Sequence, residues 1–159
     1  MSRIQLALRV SDLDGSVAFY SKLFGVEPAK LRPGYANFAI PEPPLKLVLV
    51  EGRPDQPTVM DHLGVEVETT EQVTAATERL AAAGLDTAVE DDTTCCYAVQ
   101  DKVWVQGPGA EPWEVYVVKA DADTLDRQAG SECCTPSSAT EQEEVSEAVP
   151  AGTPAASCC

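Results

Sequence analysis

Basic side chains are scarce in this sequence of 159 residues, and histidine occurs once. Only 11 lysines and arginines stand against 26 aspartates and glutamates, which gives a formal net charge of −15 at pH 7. A chain this acidic is poorly suited to bind nucleic-acid phosphates or an anionic membrane surface. No apolar run approaches the roughly 20 residues that span a bilayer, and no signal peptide precedes the first apolar segment. We therefore expect a cytoplasmic protein with neither a nucleic-acid nor a membrane partner.

Aromatic residues and isoleucine are absent from the C-terminal part of the chain. Residues 120–159 contain eight acidic residues and a single base, Arg127, and are rich in Ala, Ser, Thr, Glu and Pro. Such a segment buries too little apolar surface to offset the entropy lost on ordering. We expect residues 1–119 to form the folded domain and residues 120–159 to be a disordered acidic tail, with at most a short helix near residues 120–127.

The six cysteines occur only as adjacent pairs. These pairs are Cys95-Cys96, Cys133-Cys134 and Cys158-Cys159. In a reducing compartment they are expected to be thiols. We interpret them as soft ligands and not as disulfide bridges, and a role for the two tail pairs in passing on a captured metalloid stays open.

The domain contains an internal repeat. Residues 4–10 and 61–67 are strand-like, and each segment precedes a helical apolar stripe that ends at a glycine, Gly25 or Gly84. Ser11 and Thr70 are the expected helix N-caps. Short strand candidates follow each helix, at residues 29–32, 35–39 and 45–50 and at residues 87–90, 97–103 and 113–118. The sequence therefore predicts an α+β fold built from two β-α-β-β-β modules, about residues 1–56 and 57–119.

Strand alternation places polar residues on the sheet face away from the helices. Gln5 and His62 occupy equivalent positions of the two modules on that face, and Arg9 and Glu66 are equivalent as well. We expect Arg9 and Glu66 to form a structural ion pair, and Lys102 to be a solvated strand lysine. Glu114 lies within an otherwise apolar strand, where burial of a carboxylate is costly without a partner.

The opening segment Gln5-x-Ala7-Leu8-x-Val10-x-Asp12-Leu13-x-x-Ser16-Val17-x-Phe19-Tyr20-x-x-Leu23-Phe24-Gly25 resembles a family motif. It is similar to the start of vicinal oxygen chelate proteins, which include glyoxalases, extradiol dioxygenases and bleomycin or fosfomycin resistance proteins. The resemblance covers about residues 1–119. It implies a vicinal oxygen chelate fold in which Gln5, His62 and Glu114 hold one metal ion.

The Cys95-Cys96 pair indicates a more specific resemblance within this superfamily. A vicinal cysteine pair before a strand of the second module, together with Gln, His and Glu ligands, resembles the organoarsenical carbon–arsenic lyases. Some of their relatives are known as cadmium-induced proteins. This resemblance implies an iron-dependent dioxygenase with Fe(II) on the three ligands and dioxygen as co-substrate. Cys95 and Cys96 would bind a trivalent organoarsenical, such as methylarsonous acid or an aromatic arsenical, which is cleaved to arsenite.

The residue chemistry is compatible with that function but leaves alternatives. An amide oxygen, an imidazole and a carboxylate suit Fe(II) or Mn(II) better than a thiophilic ion. Two thiolates would replace both exchangeable oxygens of monosubstituted As(III). We expect the Cys95-Cys96 pair to lie in a loop or turn. Residues 46–50 offer no good fourth metal ligand, which speaks against a glyoxalase. An extradiol-type dioxygenase and a cadmium- or arsenic-sequestering protein that uses all three thiol pairs remain alternatives.

Overall fold

A computed structural model of the chain describes residues 2–125. The first module consists of β1 (Arg3–Val10), α1 (Leu13–Phe24), β2 (Lys30–Arg32), β3 (Tyr35–Ile40) and β4 (Leu45–Glu51). The second consists of β5 (Val59–Glu66), α2 (Thr70–Ala82), β6 (Thr87–Cys95), β7 (Ala98–Gln106) and β8 (Pro112–Asp121). This order confirms the α+β class and the two β-α-β-β-β modules.

Both helices begin one residue away from the position expected from the predicted caps, α1 one residue later and α2 one residue earlier. The N-cap of α1 is Asp12 and not Ser11, and its side chain accepts a hydrogen bond from the Gly15 amide at 2.9 Å. The N-cap of α2 is Thr69 and not Thr70, because Thr69 forms a reciprocal capping box with Gln72. The predicted left-handed Gly25 is confirmed, with a φ of 67° that favours glycine.

The eight strands form one mixed sheet in the order β2-β3-β4-β1-β5-β8-β7-β6. The modules join where β1 pairs antiparallel with β5, and each of these strands pairs in parallel with the last strand of its own module. The two ends of the sheet come together, since the Tyr97 hydroxyl after β6 donates to the Pro33 carbonyl after β2 at 2.9 Å. The sheet is therefore curled, with the helices outside and a concave inner face.

Apolar side chains cover both faces of this sheet. Outside, one cluster packs under α1 around Phe38, Leu47 and Leu49, and another packs under α2 around Leu80 and Val103. A third cluster lies on the inner face, and its buried members are Ala7, Tyr35, Val48, Val50 and Tyr97. Neither helix of the described residues is long and apolar enough to cross a membrane.

The chain continues to pack against the domain beyond residue 119. Strand β8 extends to Asp121, and the Thr124 and Leu125 carbonyls then accept hydrogen bonds from the Tyr97 and Cys96 amides at 2.9 and 3.0 Å. The described residues 120–125 therefore contain strand and extended contacts, where we expected a disordered tail with at most a short helix. The remainder of the predicted disordered tail, residues 126–159 with Cys133, Cys134, Cys158 and Cys159, lies outside the described residues.

Candidate active site

Gln5, His62 and Glu114 come together on the inner face although they belong to three different strands. The amide nitrogen Nε2 of Gln5 lies 2.9 Å from His62 Nε2 and 2.7 Å from Glu114 Oε1. His62 Nε2 and Glu114 Oε1 are 3.3 Å apart. All three residues are buried, with 4, 8 and 2% of their surface exposed. The structure thus assembles the three residues that the sequence singled out.

Strand register and one glycine explain this close approach. Gly64 is aligned with Gln5 on β1 and with Glu114 on β8, so it lies between two of the three side chains. A Cβ on Gly64 would lie 3.1 Å from Glu114 Cγ and 3.3 Å from Gln5 Cβ, tighter than most real contacts. The missing side chain of Gly64 leaves room for the Gln5 and Glu114 side chains to meet.

Asp61 orients the imidazole of His62. Its Oδ1 lies 2.6 Å from His62 Nδ1, which leaves Nε2 directed at Gln5 and Glu114. Burial by itself would lower the pKa of His62, but hydrogen bonds to Asp61 and Glu114 outweigh it and raise the pKa to about 9. The ring is therefore a cation at neutral pH in this arrangement, and Asp61 fixes which nitrogen faces inward.

The ion pairs that Arg9 and Glu66 form differ from the pair expected between them, and Asp61 is the partner of Arg9. Arg9 pairs with Asp61, and Glu66 pairs with Arg3 and Lys46, each at 3.1 Å. The expected Arg9–Glu66 pair is wrong because β1 and β5 run antiparallel, with Arg3 aligned to Glu66 and Arg9 to Val59. Arg9 and Glu66 consequently lie at opposite ends of the strand pair, whereas the equivalent residues Gln5 and His62 lie near its middle and meet.

Lys102 neutralises the buried carboxylate of Glu114. Its Nζ lies 2.7 Å from Glu114 Oε2 and above the ring of Trp104, at 5.2 Å from the centroid. Burial would raise the pKa of Glu114, but Lys102 and His62 together lower it to about 2. Lys102 is only 3% exposed, so the expectation of a solvated lysine is wrong. The ion pair occupies Oε2 and leaves Oε1 facing Gln5 and His62.

Tyr116 orients the amide of Gln5. Its hydroxyl donates to Gln5 Oε1 and also lies 3.0 Å from Glu66 Oε2. Burial and the neighbouring carboxylates raise the pKa of Tyr116 well above its ordinary value, so the phenol keeps its proton. Each of the three converging side chains therefore has a dedicated polar partner behind it.

The vicinal thiols lie in the tight turn between β6 and β7. Cys95 ends β6, and Cys96 and Tyr97 form the two-residue turn with φ values of 57° and 61°. Non-glycine residues rarely adopt this left-handed region. Because the turn interrupts strand alternation, the two sulfurs lie on the same side, with Sγ atoms 2.9 Å apart. The structure thus places the pair at a turn, as we expected.

An apolar wall lies between the thiols and the three converging side chains. Tyr35 is close enough to Cys95, Cys96 and Glu114 for their charges to add to the rise in its pKa that burial causes. Its hydroxyl accepts a hydrogen bond from the Asn37 amide at 2.9 Å. The inner-face cluster that contains Tyr35 and Tyr97 also contacts Cys96. The thiol turn and the three side chains therefore lie at the two ends of one apolar cluster on the inner face.

Val48 occupies the place in the first module that Glu114 occupies in the second. Ala7 is aligned with Val48 in parallel register, as its equivalent Gly64 is aligned with Glu114. Val48 is 4% exposed and has no donor atom in its side chain. The site consequently has three polar side chains and an apolar fourth side, which agrees with the absence of a fourth ligand noted in the sequence.

Sequence reasoning missed most of the residues that support the site. Asp61 precedes the only histidine, and a carboxylate next to a candidate ligand was a usable signal. Lys102 shares its sheet face with Trp104, but nothing local shows that this face is enclosed. Strand alternation alone also puts Tyr116 and Gly64 on the face of Glu114 and His62, but it gives no sign of the contacts that they make.

Comparisons with known proteins agree with this architecture. The chain is 69% identical over 136 residues to a trivalent organoarsenical cleaving enzyme of Thermomonospora curvata, covering 86% of this chain and 90% of that protein. It is 60% identical over 125 residues to the cadmium-induced protein CadI of Mycobacterium tuberculosis, covering 79% and 82%.

Among solved structures, an extradiol ring-cleaving dioxygenase from B. fuscum superimposes with a TM-score of 0.55 at 21% identity, covering 76% of this chain and 34% of that one. This similarity concerns the fold alone. The family model described as the glyoxalase/bleomycin resistance protein/dioxygenase superfamily matches residues 3–115. This match covers most of the chain, and the two relatives agree with it. The chain therefore belongs to the glyoxalase/bleomycin resistance protein/dioxygenase superfamily.

Proposed function

We propose that this protein is an Fe(II)-dependent dioxygenase that cleaves the carbon–arsenic bond of trivalent organoarsenicals and releases arsenite. The observation that carries the proposal is the placement of two kinds of ligand on the inner face of one sheet. Gln5, His62 and Glu114 offer oxygen and nitrogen donors, and Cys95 and Cys96 offer two adjacent sulfurs. The relative named as a trivalent organoarsenical cleaving enzyme, at 69% identity, supports the same substrate class.

The three converging side chains fit a divalent metal ion. Three donors about 2.1 Å from a common ion and at right angles to one another lie about 3.0 Å apart, close to the observed 2.7–3.3 Å. Within residues 2–125, no three His, Cys, Asp or Glu side chains form a metal-binding group, so a metal here depends on the Gln5 amide. That donor set favours Fe(II) or Mn(II) over thiophilic ions.

Metal binding would require two adjustments of the observed arrangement. The Gln5 amide has to turn by half a rotation, so that Oε1 faces His62 Nε2 and Nε2 faces the Tyr116 hydroxyl, which can accept as well as donate. His62 also has to release the proton on Nε2. The proton on Nδ1 stays on the ring, because it is hydrogen-bonded to Asp61. Both changes leave the backbone in place, since only side-chain atoms exchange partners.

Bound Fe(II) would supply the activation of dioxygen at this site. The chain supplies position and charge: Lys102 holds Glu114 Oε2 and thereby directs one carboxylate oxygen inward, and Val48 leaves the fourth side open. Tyr35, Val48, Val50 and Tyr97 belong to an apolar cluster that contacts Cys96. Apolar surroundings of this kind would suit the organic substituent of an arsenical.

Cys95 and Cys96 would anchor arsenic. Each thiol displaces one hydroxyl of the arsenical as water, which leaves the carbon substituent as the third ligand on arsenic. With the sulfurs 2.9 Å apart, one arsenic atom can bridge both with little rearrangement of the turn. The hydrogen bonds from the Cys96 and Tyr97 amides to the Leu125 and Thr124 carbonyls hold that turn in place.

Anaerobic Fe(II) loading followed by methylarsonous acid, with and without oxygen, tests the proposal. We expect arsenite to form only when Fe(II), oxygen and the arsenical are all present. The double variant Cys95→Ser/Cys96→Ser should retain Fe(II) but lose arsenical binding, and His62→Ala should do the reverse. The matched control Cys133→Ser/Cys134→Ser removes another vicinal pair of the chain and should retain turnover.

The same assay separates the alternative functions. Cleavage of a catechol without arsenite formation would indicate an extradiol dioxygenase. Tight arsenical or cadmium binding at several thiol pairs without oxygen-dependent turnover would indicate sequestration. Equal loss of Fe(II) in the His62 and Cys95/Cys96 variants would show that the thiols ligate the metal, which contradicts the proposed division between metal and substrate ligands.

A further inference from the structure

Gln100 carries a buried hydrogen-bond acceptor that no described residue satisfies. Only 6% of the residue is exposed, and its Oε1 is fully buried without a hydrogen-bond partner in residues 2–125. Its other amide atom, Nε2, donates to the Cys95 carbonyl at 3.4 Å, which fixes which arm of the amide carries the oxygen. Buried acceptors are nearly always paired, so an orphan of this kind points to a bound group.

The position of Gln100 places this acceptor at the end of the inner face that is next to the thiol turn. On β7, Gln100, Lys102 and Trp104 are aligned with Val118, Tyr116 and Glu114 of β8. These residues share the inner face, and the Gln100 position is about 13 Å along the strand from the Glu114 position at 3.3 Å per residue. The backbone carbonyl of Cys95, in contrast, lies within hydrogen-bond distance of the Gln100 amide nitrogen. A donor for Oε1 is therefore expected on a group bound at the thiol turn and not on one beside Glu114.

We propose that Gln100 Oε1 accepts a hydrogen bond from a hydroxyl on thiol-bound arsenic, so that this site recognises inorganic arsenite as well as organoarsenicals. The inference rests on the proposed function only in assigning As(III) to Cys95 and Cys96. Arsenite has three hydroxyls. Two leave as water with the thiol protons when two As–S bonds form, and one hydroxyl remains as a donor, with no change in oxidation state.

A monosubstituted organoarsenical lacks that donor once both thiols are bound. Its third arsenic ligand is carbon, which offers Oε1 no hydrogen bond. Gln100 therefore distinguishes arsenite, the proposed product, from the substrate that precedes it. Satisfying a buried acceptor corresponds to roughly a tenfold gain in affinity. That gain should appear for arsenite alone.

Equilibrium binding of arsenite and methylarsonous acid tests this assignment. The measurement uses the full chain with Cys133, Cys134, Cys158 and Cys159 changed to serine, so that one thiol pair remains, under anaerobic reducing conditions that prevent turnover. Gln100→Met keeps the side-chain size and removes both polar atoms. Gln100→Glu restores an acceptor but not the donor to Cys95. Gln106→Met, on the exposed end of the same strand, is the matched control.

Gln100→Met should weaken arsenite binding about tenfold and methylarsonous acid binding less than twofold. Gln100→Glu should retain most of the arsenite affinity, and Gln106→Met should change neither ligand. Equal weakening of both ligands in Gln100→Met and Gln100→Glu would assign the residue to support of the Cys95 turn and overturn the inference alone. Binding of neither arsenical by the parent chain would overturn the proposed function, and this inference with it.

Discussion

Replacing Lys102 with methionine should destabilise the metal-free protein by about 3–5 kcal/mol, the usual cost of leaving one partner of a buried ion pair alone. Lys102 is 3% exposed and Glu114 is 2% exposed, and their charged atoms are 2.7 Å apart. The carboxylate would keep His62 at 3.3 Å but lose the contact to Oε2. For a domain of this size the loss corresponds to a fall in Tm of about 10–20 °C.

Urea unfolding of metal-free protein at pH 7 measures the effect, with Lys22→Met, an exposed lysine of α1, as the matched control. The double variant Lys102→Met/Glu114→Gln removes both charges and should recover at least half of the loss. Saturating Mn(II), a divalent ion that does not react under these conditions, should narrow the gap between Lys102→Met and wild type by restoring positive charge beside Glu114. A loss below 1 kcal/mol, or an equal loss in Lys22→Met, would refute the reasoning.

Three further variants probe the surroundings of the site. Asp61→Asn should lower metal affinity about tenfold, because the partner of the imidazole loses its charge; calorimetric titration with Mn(II) measures this, and unchanged affinity would contradict the role of Asp61. Gly64→Ala should destabilise the fold by about 1–2 kcal/mol and weaken metal binding, because the new Cβ would lie 3.1 Å from Glu114 Cγ. A Tm and a metal affinity equal to those of wild type would show that the strands move apart to accept the methyl group. Truncation after Leu125 should preserve single-turnover rate and Tm, but truncation after Lys119 should lower both, since it removes the carbonyls that hold the thiol turn; identical behaviour of the two truncations would show that this contact is dispensable.

Local sequence pattern determined the modules of this protein. Residues 4–10 and 61–67 alternate with period two, and the stripes that follow have the period of a helix, so each element could be placed from its own residues. Helix boundaries were one residue off, because Asp12 and Thr69 compete with neighbouring cap residues. Strand alternation also assigned the three candidate ligands to one face, since the direction of a side chain depends only on its parity within the strand.

Side-chain partners could not be obtained in this way. The repeat made Arg9 and Glu66 equivalent, but antiparallel pairing of β1 with β5 separated them and brought Arg9 to Asp61. That register cannot be read from any local segment of the sequence, because the register depends on contacts between strands far apart along the chain. Gln5 and Glu114, for example, are 109 residues apart and 2.7 Å from each other.

Burial of the inner face likewise depended on the tertiary structure. Lys102 and Gln100 look like ordinary polar strand residues, and they are enclosed only because the sheet curls until Tyr97 reaches Pro33. The thiol pair was predictable as a turn, but its approach to Tyr35 and to the face that carries Gln5, His62 and Glu114 was not. What the sequence by itself determined was therefore the type of each element and the face of each side chain, which are local properties. Strand register and sheet curvature decided which of those side chains meet, because both arise from packing between distant segments.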